Sequence, residues 1–348
     1  MIKKIIKILL IIFLILSLAI FYFSVFGIKT DKFNNQISNN ILKVNKKINL
    51  SLSDVNYLLN PYNFTVNIKT KNPKILLESR NLEIKDIQTN VALKSLINNQ
   101  FSIDDLQITT KEININDMIA LLRVFQNSPK LFVLNTIIKD GFVTANINLS
   151  FDEKGNIKED YKITGSVKKV KINIPNQFKL QDFNFDFNIK KAIYSLKQIN
   201  LKLNNIKINS PLIEIKKNKK SFFVNGQFLN DKKNFDIEEI KPIFADLFNT
   251  IDIQKIEFSS KNKFSFNFNE SLKFENFKVE TIIDLNELTI KKKNLKIKSY
   301  FPNFVEKIKL KEHKVVINYN KGKFNIKGSG NILLEDKLDS LSYQIIKD

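Results

Sequence analysis

The chain has no cysteine and no tryptophan, one histidine, eight glycines and seven prolines among 348 residues. Without cysteine there is no disulfide framework, no thiol nucleophile and no thiolate metal site. The lone histidine, His313, stands in Lys311-Glu312-His313-Lys314-Val315-Val316. It lacks the further ligands of a metal site and the nucleophile and orienting acid of a triad, so it reads as a surface residue at the edge of a strand. So few glycines leave no phosphate-cradling loop or dinucleotide fingerprint. The adjacent carboxylates Asp104-Asp105, Asp152-Glu153 and Glu238-Glu239 would point to opposite faces on a strand, and turn or cap roles suffice for them. No catalytic residue, cofactor or metal ligand is assigned, and an enzyme is not expected.

Arginine is nearly absent as well, confined to Arg80 and Arg123, so the net charge of +21 is carried by lysine. The lysines are spread along the whole chain instead of forming one basic helix or loop. That distribution argues against nucleic acid as a partner, while salt-dependent attraction to anionic lipid head groups fits it.

What is abundant is apolar sequence of two kinds. The first is a run without charge from Ile8 through Leu14 and Phe21 to Ile28. At about 1.5 Å per helical residue it is roughly 31 Å long, the thickness of a bilayer core. A cleavable signal has an apolar stretch of only about 7 to 15 residues, and no small-x-small site follows this one. Residues 1–28 are therefore expected to form a cytoplasmic stub and a transmembrane anchor. Lys3, Lys4 and Lys7 keep that end in the cytoplasm by the positive-inside rule, which exports the rest.

The second kind is patterned. Phe33, Ile37, Ile41 and Val44 recur at helical spacing, predicting a short exit helix within 29–46. From about Ile48 the period becomes two. Phe64, Val66 and Ile68 alternate with polar residues; so do Val170, Ile172 and Ile174, then Phe183, Phe185 and Phe187, then Phe264, Phe266 and Phe268. Leu201 with Leu203, and Phe274, Phe277 and Val279, continue the pattern. Turn residues separate the runs, as at Asp140-Gly141, Glu153-Lys154-Gly155-Asn156 and Asn320-Lys321-Gly322. Helical spacing returns at Met118, Leu121, Leu122 and Phe125 after Asn116 or Asp117, and at Ile237, Ile240, Phe244, Leu247 and Phe248 after Asp236. The expected fold is mostly β: an N-terminal transmembrane helix, then an elongated, curled antiparallel sheet with two or three short helices. No Gly-, Pro- or Ser-rich linker cuts it, so 47–348 reads as one domain. Alternation of this kind fits either an open trough or a closed sandwich with an ordinary core.

The order of these features resembles the AsmA-like family. An anchor and exit helix are followed by Lys46-Lys47-Ile48-Asn49-Leu50-Ser51-Leu52-Ser53-Asp54-Val55, by Leu82-Glu83-Ile84-Lys85-Asp86-Ile87, and by the stretch from Leu93 to Ile108. The likeness runs in order over roughly residues 1 to 150. It implies a bacterial inner-membrane protein with a periplasmic β-groove similar to bridge-like lipid-transfer proteins. Membrane lipid, above all phospholipid, would be the cargo, with an envelope protein as partner at the far end. Phe64, Val66, Ile68, Phe183, Phe185, Phe187, Phe264, Phe266 and Phe268 would then line the groove. The competing expectation is an anchored scaffold or chaperone for envelope proteins that acts through its sheet edges without moving lipid.

Overall fold

The computed structural model describes the chain apart from residues 1, 33, 36–37, 40–41, 43–45, 54, 78–79, 94–102, 126–127, 153–155, 174–178, 204–205, 220, 242–251, 270, 272, 292–306, 335–336 and 348. The described residues are mostly strand, and the strand pairings given below are all antiparallel. They group into two compact units: Met1–Thr136 with Gly141–Ser166 and Asn188–Lys191, and Ile137–Asp140 with Val167–Phe187 and Ala192–Asp348. This division was not foreseen from the sequence. It falls inside strands, where composition carries no boundary signal.

In the first unit, helix α1 (Ile2–Val25) contains the membrane candidate, Lys4–Val25, 22 residues long and without burial against the rest of the chain. Its apolar side chains have no protein surface to cover them, as a single-pass anchor requires. The anchor stops earlier than expected. Phe26 N still donates to Tyr22 O, but Gly27 turns the backbone at φ 67, and Ile28 opens strand β1 (Ile28–Thr30). A side chain at Gly27 would press on Tyr57 O. Ile28 is thus a strand residue paired with Tyr57, not an anchor residue, and Lys29 and Thr30 are not helical. Of the predicted exit helix, Phe33, Ile37, Ile41 and Val44 lie outside the described residues; Asn34, Asn35, Ser38, Asn39 and Leu42 are helical.

The strands β2 (Ile48–Ser51), β3 (Val55–Asn60), β4 (Thr65–Lys71), β5 (Lys74–Leu77), β6 (Arg80–Ala92), β7 (Ile103–Thr110), β8 (Ile113–Asn114) and β9 (Ile138–Ser150) follow. One ladder runs β1–β3–β4–β6–β7–β9. A second, β2–β5–β6, uses the first half of β6, so this one strand belongs to both. Ile48 and Leu50 of β2, Leu77 of β5, Leu82 and Ile84 of β6, and Val55 of β3 are buried, every second residue along β2 and near the start of β6. This is period-two burial giving a closed core. Asp140-Gly141, expected as a turn, lies inside β9. Helix α2 (Ile115–Phe125) appears where its spacing predicted, with Ile119 buried and Asp117 in its first turn bound by Arg80 Nη1 at 2.8 Å. Helix α3 (Pro129–Ile137) was not foreseen.

The second unit holds most of β10 (Lys162–Asn173) and β11 (Lys179–Lys190), and all of β12 (Ile193–Leu203), β13 (Ile206–Lys217), β14 (Ser221–Phe235), β15 (Asp252–Asn269), β16 (Phe274–Lys291), β17 (Lys307–Asn320), β18 (Lys323–Leu334) and β19 (Lys337–Lys347). From β12 to β19 each strand pairs with the next. At about 4.8 Å per strand that meander is roughly 34 Å wide. Lys321-Gly322 makes the two-residue turn between β17 and β18, as the sequence predicts. Helix α4 (Ile237–Ile240) is capped by Asp236, which accepts from Glu238 N. The continuation expected through Phe244, Leu247 and Phe248 lies outside the described residues.

Candidate functional site

Strand β15 carries Phe264, Phe266 and Phe268 on one face and Lys263, Ser265 and Asn267 on the other, and its neighbours extend both faces. Phe268 stacks on Phe222 of β14 with ring centroids 4.8 Å apart, and Phe264 on Phe228 at 5.0 Å. On the other flank Phe266 meets Phe274 at 5.4 Å and Phe277 at 6.0 Å. Phe277 contacts Tyr319 of β17 at 5.8 Å, and Tyr319 contacts Phe324 of β18 at 4.7 Å. The result is a continuous aromatic band across five consecutive strands. Phe274 and Phe277 share a face although three residues apart, because β16 bulges at Asn276, whose φ is 54. Ser265 pairs with Lys278 and Asn267 with Glu275, so Asn276 and Phe277 together oppose Phe266.

The band is not a core. Phe264, Phe266 and Phe268 are half-buried, while Phe274, Phe277 and Phe324 are 65%, 42% and 41% exposed. Aromatic side chains left in contact with water across several strands form the kind of apolar patch that marks a binding surface. Further along β15 the same face changes character. Asn262 Nδ2 donates to Phe228 O at 3.3 Å and to Ser260 Oγ at 2.9 Å, Ser260 donates to Asn230 Oδ1, and Thr281 Oγ1 donates to Asn262 Oδ1 at 3.0 Å. Beyond this polar cluster Phe258 and Ile256 pack with Phe235, Ile206, Ile237 and Ile240, so α4 closes that end. Along one face β15 therefore runs from a closed apolar end through a hydrogen-bonded waist to an open aromatic end.

The opposite face is polar. Lys255 and Glu287 are 2.8 Å apart, and their mutual hydrogen bond lowers the Glu287 carboxyl below the usual carboxylate range and raises the Lys255 ammonium. Lys263 and Glu280 stand 3.8 Å apart.

Of the nine residues expected to line a groove, Phe264, Phe266 and Phe268 join the aromatic band. Phe183 and Phe185 lie half-buried on β11 with rings 4.9 Å apart, and Phe187 follows them on the same face. Val66 and Ile68 belong to the first unit, where they pair with Val91 and Thr89. Phe64 is displaced: it sits in the turn before β4 at φ 50 and is 72% exposed, because Asn60 Oδ1 accepts from Tyr62 N and Asn63 N and closes the turn there. Phe222, Phe228, Tyr319 and Phe324 were not singled out by alternation alone. The doublet Phe222-Phe223 hides its phase, though Val315, Ile317 and Tyr319 alternate legibly.

His313 is not a surface residue; it is 1% exposed. A bulge at Glu312, φ 53, sets Glu312 and His313 opposite Gly330 alone and turns the imidazole onto the apolar face. Its Nε2 lies 2.9 Å from Asn331 O, and any side chain at Gly330 would overlap the ring. The adjacent carboxylates are engaged structurally: Asp105 accepts from Asn90 at 2.7 Å, Asp152 from Asn156 N at 2.8 Å, and Glu239 pairs with Lys233 at 3.1 Å. Among the described residues no group of three His, Asp or Glu is placed to hold a metal ion.

No protein-family model, no curated protein and no solved structure matches the chain.

Proposed function

We propose that this is a lipid-handling protein, anchored by α1 in a bacterial inner membrane with Lys3, Lys4 and Lys7 on the cytoplasmic side, whose periplasmic sheet carries phospholipid acyl chains along its aromatic face. The observation that carries this reading is the band from Phe222 to Phe324, continuous over five strands and partly open to water. Each methylene taken out of water is worth about 0.8 kcal/mol, so a sixteen-carbon chain gains on the order of 12 kcal/mol from such a surface. The polar cluster of Asn230, Ser260, Asn262 and Thr281 supplies hydrogen-bonding groups beside it for the ester end of a lipid. The likeness to AsmA-like proteins in residues 1 to 150 supports the same reading, as does an anchor that ties the chain to a source of lipid. A non-enzymatic role, with an envelope protein receiving the cargo, is part of the proposal.

A photocrosslinking residue at Phe266, with Asn267 on the other face as its control, tests it in intact cells. Lipid adducts at position 266 and none at 267 are expected. Protein adducts at both positions, with no lipid recovered by mass spectrometry from the purified full chain, would favour the scaffold reading. Removal of residues 1–25 should release the product from membranes at high salt; retention as an integral protein would sink the single-anchor assignment.

A further inference from the structure

Strand β19 ends the meander as an unguarded edge. All eleven of its residues pair with β18 in one unbroken register, and no other strand pairs with it among the described residues. An edge presents a row of unpaired N–H and C=O groups, and proteins usually blunt it with lysine, proline, bulges or shortness. Between Leu338 and Ile346 this strand has no lysine, no proline and no residue at positive φ, and its single charge is Asp339. The longer strands β14, β15 and β16, which lie inside the ladder, all carry register shifts. Along the middle nine residues of this edge the protective features are thus missing.

We infer that β19 is a self-pairing edge and that its occupant is the β19 strand of a second copy of this chain, laid antiparallel across a two-fold axis through Tyr343. The choice of partner rests on complementarity. Because side chains alternate between faces, only an axis through a residue keeps both apolar faces on the same side. With the axis at Tyr343, Asp339 of each copy meets Lys347 of the other, Leu341 meets Ile345, Ser342 meets Gln344, and Tyr343 meets its own counterpart. Two ion pairs form and the exposed Ile345 is covered. Moving the axis to Ser342 sets Lys337 against Lys347 and Asp339 against Ile345, which removes the charge match. Leu341, Tyr343 and Ile345 lie opposite Gly330, Gly328 and Ile326, on the face that carries Tyr319 and Phe324. Self-pairing therefore carries the apolar face across the axis from one copy into the next, whether or not lipid is its ligand.

The absence of cysteine makes the register directly readable. Directly opposed residues in an antiparallel pair have Cα atoms about 4.5 to 5.5 Å apart, within disulfide reach, whereas positions offset by two are about 7 to 8 Å apart and out of reach. Full-length Ser342→Cys and Gln344→Cys chains, differently tagged and mixed in detergent, should crosslink to each other on mild oxidation and neither to itself. The untreated chain should have twice its 40.5 kDa mass by light scattering after detergent correction. Asp339→Lys should reduce it to one copy, and adding Lys347→Asp should restore two. A one-copy mass for the wild type overturns the inference. So does self-crosslinking of Ser342→Cys, which would move the axis, failure of the charge swap to restore pairing, or a cysteine adduct with a different protein.

Discussion

The two units use one sequence rule to opposite ends. In the first, the β2–β5–β6 ladder shares β6 with the main ladder, and Val55, Leu82, Ile84 and Val91 leave almost nothing for water to touch. In the second, eight strands follow one another in a plain meander, and much of their apolar face stays open. Of the described phenylalanines only Phe235, beside α4, is buried. The lesson is that alternation specifies a face, while the element that returns to cover it, here a strand shared by two ladders or a one-turn helix, decides whether that face becomes a core or a surface.

The comparison can be broken by substitution. Leu82→Ala should cost about 2 to 5 kcal/mol in urea unfolding, since it leaves a hole in a closed core; a near-silent result would mean the first unit is as open as the second. Gly330→Ala tests a tightly packed spot in the second unit, where the new methyl must displace His313, and a loss of about 1 to 3 kcal/mol is expected. Phe274→Ala should change stability by no more than about 0.5 kcal/mol, yet lower the lipid recovered with the purified chain. Equal costs for Leu82 and Phe274 would erase the distinction between core and surface. The smallest effect concerns the polar face. Because the folded Glu287 carboxyl titrates below its unfolded value, its contribution is present above the unfolded carboxylate pKa and lost as pH falls through the depressed one. Glu287→Gln should therefore cost less than about 1 kcal/mol at neutral pH and nothing once both states are protonated, as paired pH-dependent melts would report.

Much of this was legible in advance. The anchor, the change to a period of two, α2, the Asp236 cap and the turn at Lys321-Gly322 all follow from composition and spacing. What escaped were the places where one extra residue resets the phase. Leu310 and Val315 share a face despite their opposite parity because Glu312 bulges between them, and for that reason a histidine read as exposed is enclosed. Asn276 does the same for Phe274 and Phe277. Phe64 fits the parity of Val66 and Ile68 but falls in a turn fixed by the Asn60 side chain, which periodicity cannot register. The split into two units was invisible because its boundaries run through β9, β10 and β11, where strand patterning continues unchanged.

The junction at Gly27 has a mechanical consequence. With α1 in a membrane, no slack linker separates bilayer from sheet: the helix ends at Val25 and β1 begins at Ile28. Any tug on the anchor enters the protein at Ile28 and is shared by the three residue pairs Ile28–Tyr57, Lys29–Asn56 and Thr30–Val55. Antiparallel hydrogen bonds lie across the strands, so a load along β1 must shear them together instead of peeling them one at a time. Val55, at the far end of that clasp, is itself a core residue of the first unit. The first unit is thus coupled stiffly to any membrane that holds α1, and bilayer motion would be delivered to its folded core and not absorbed by a tether.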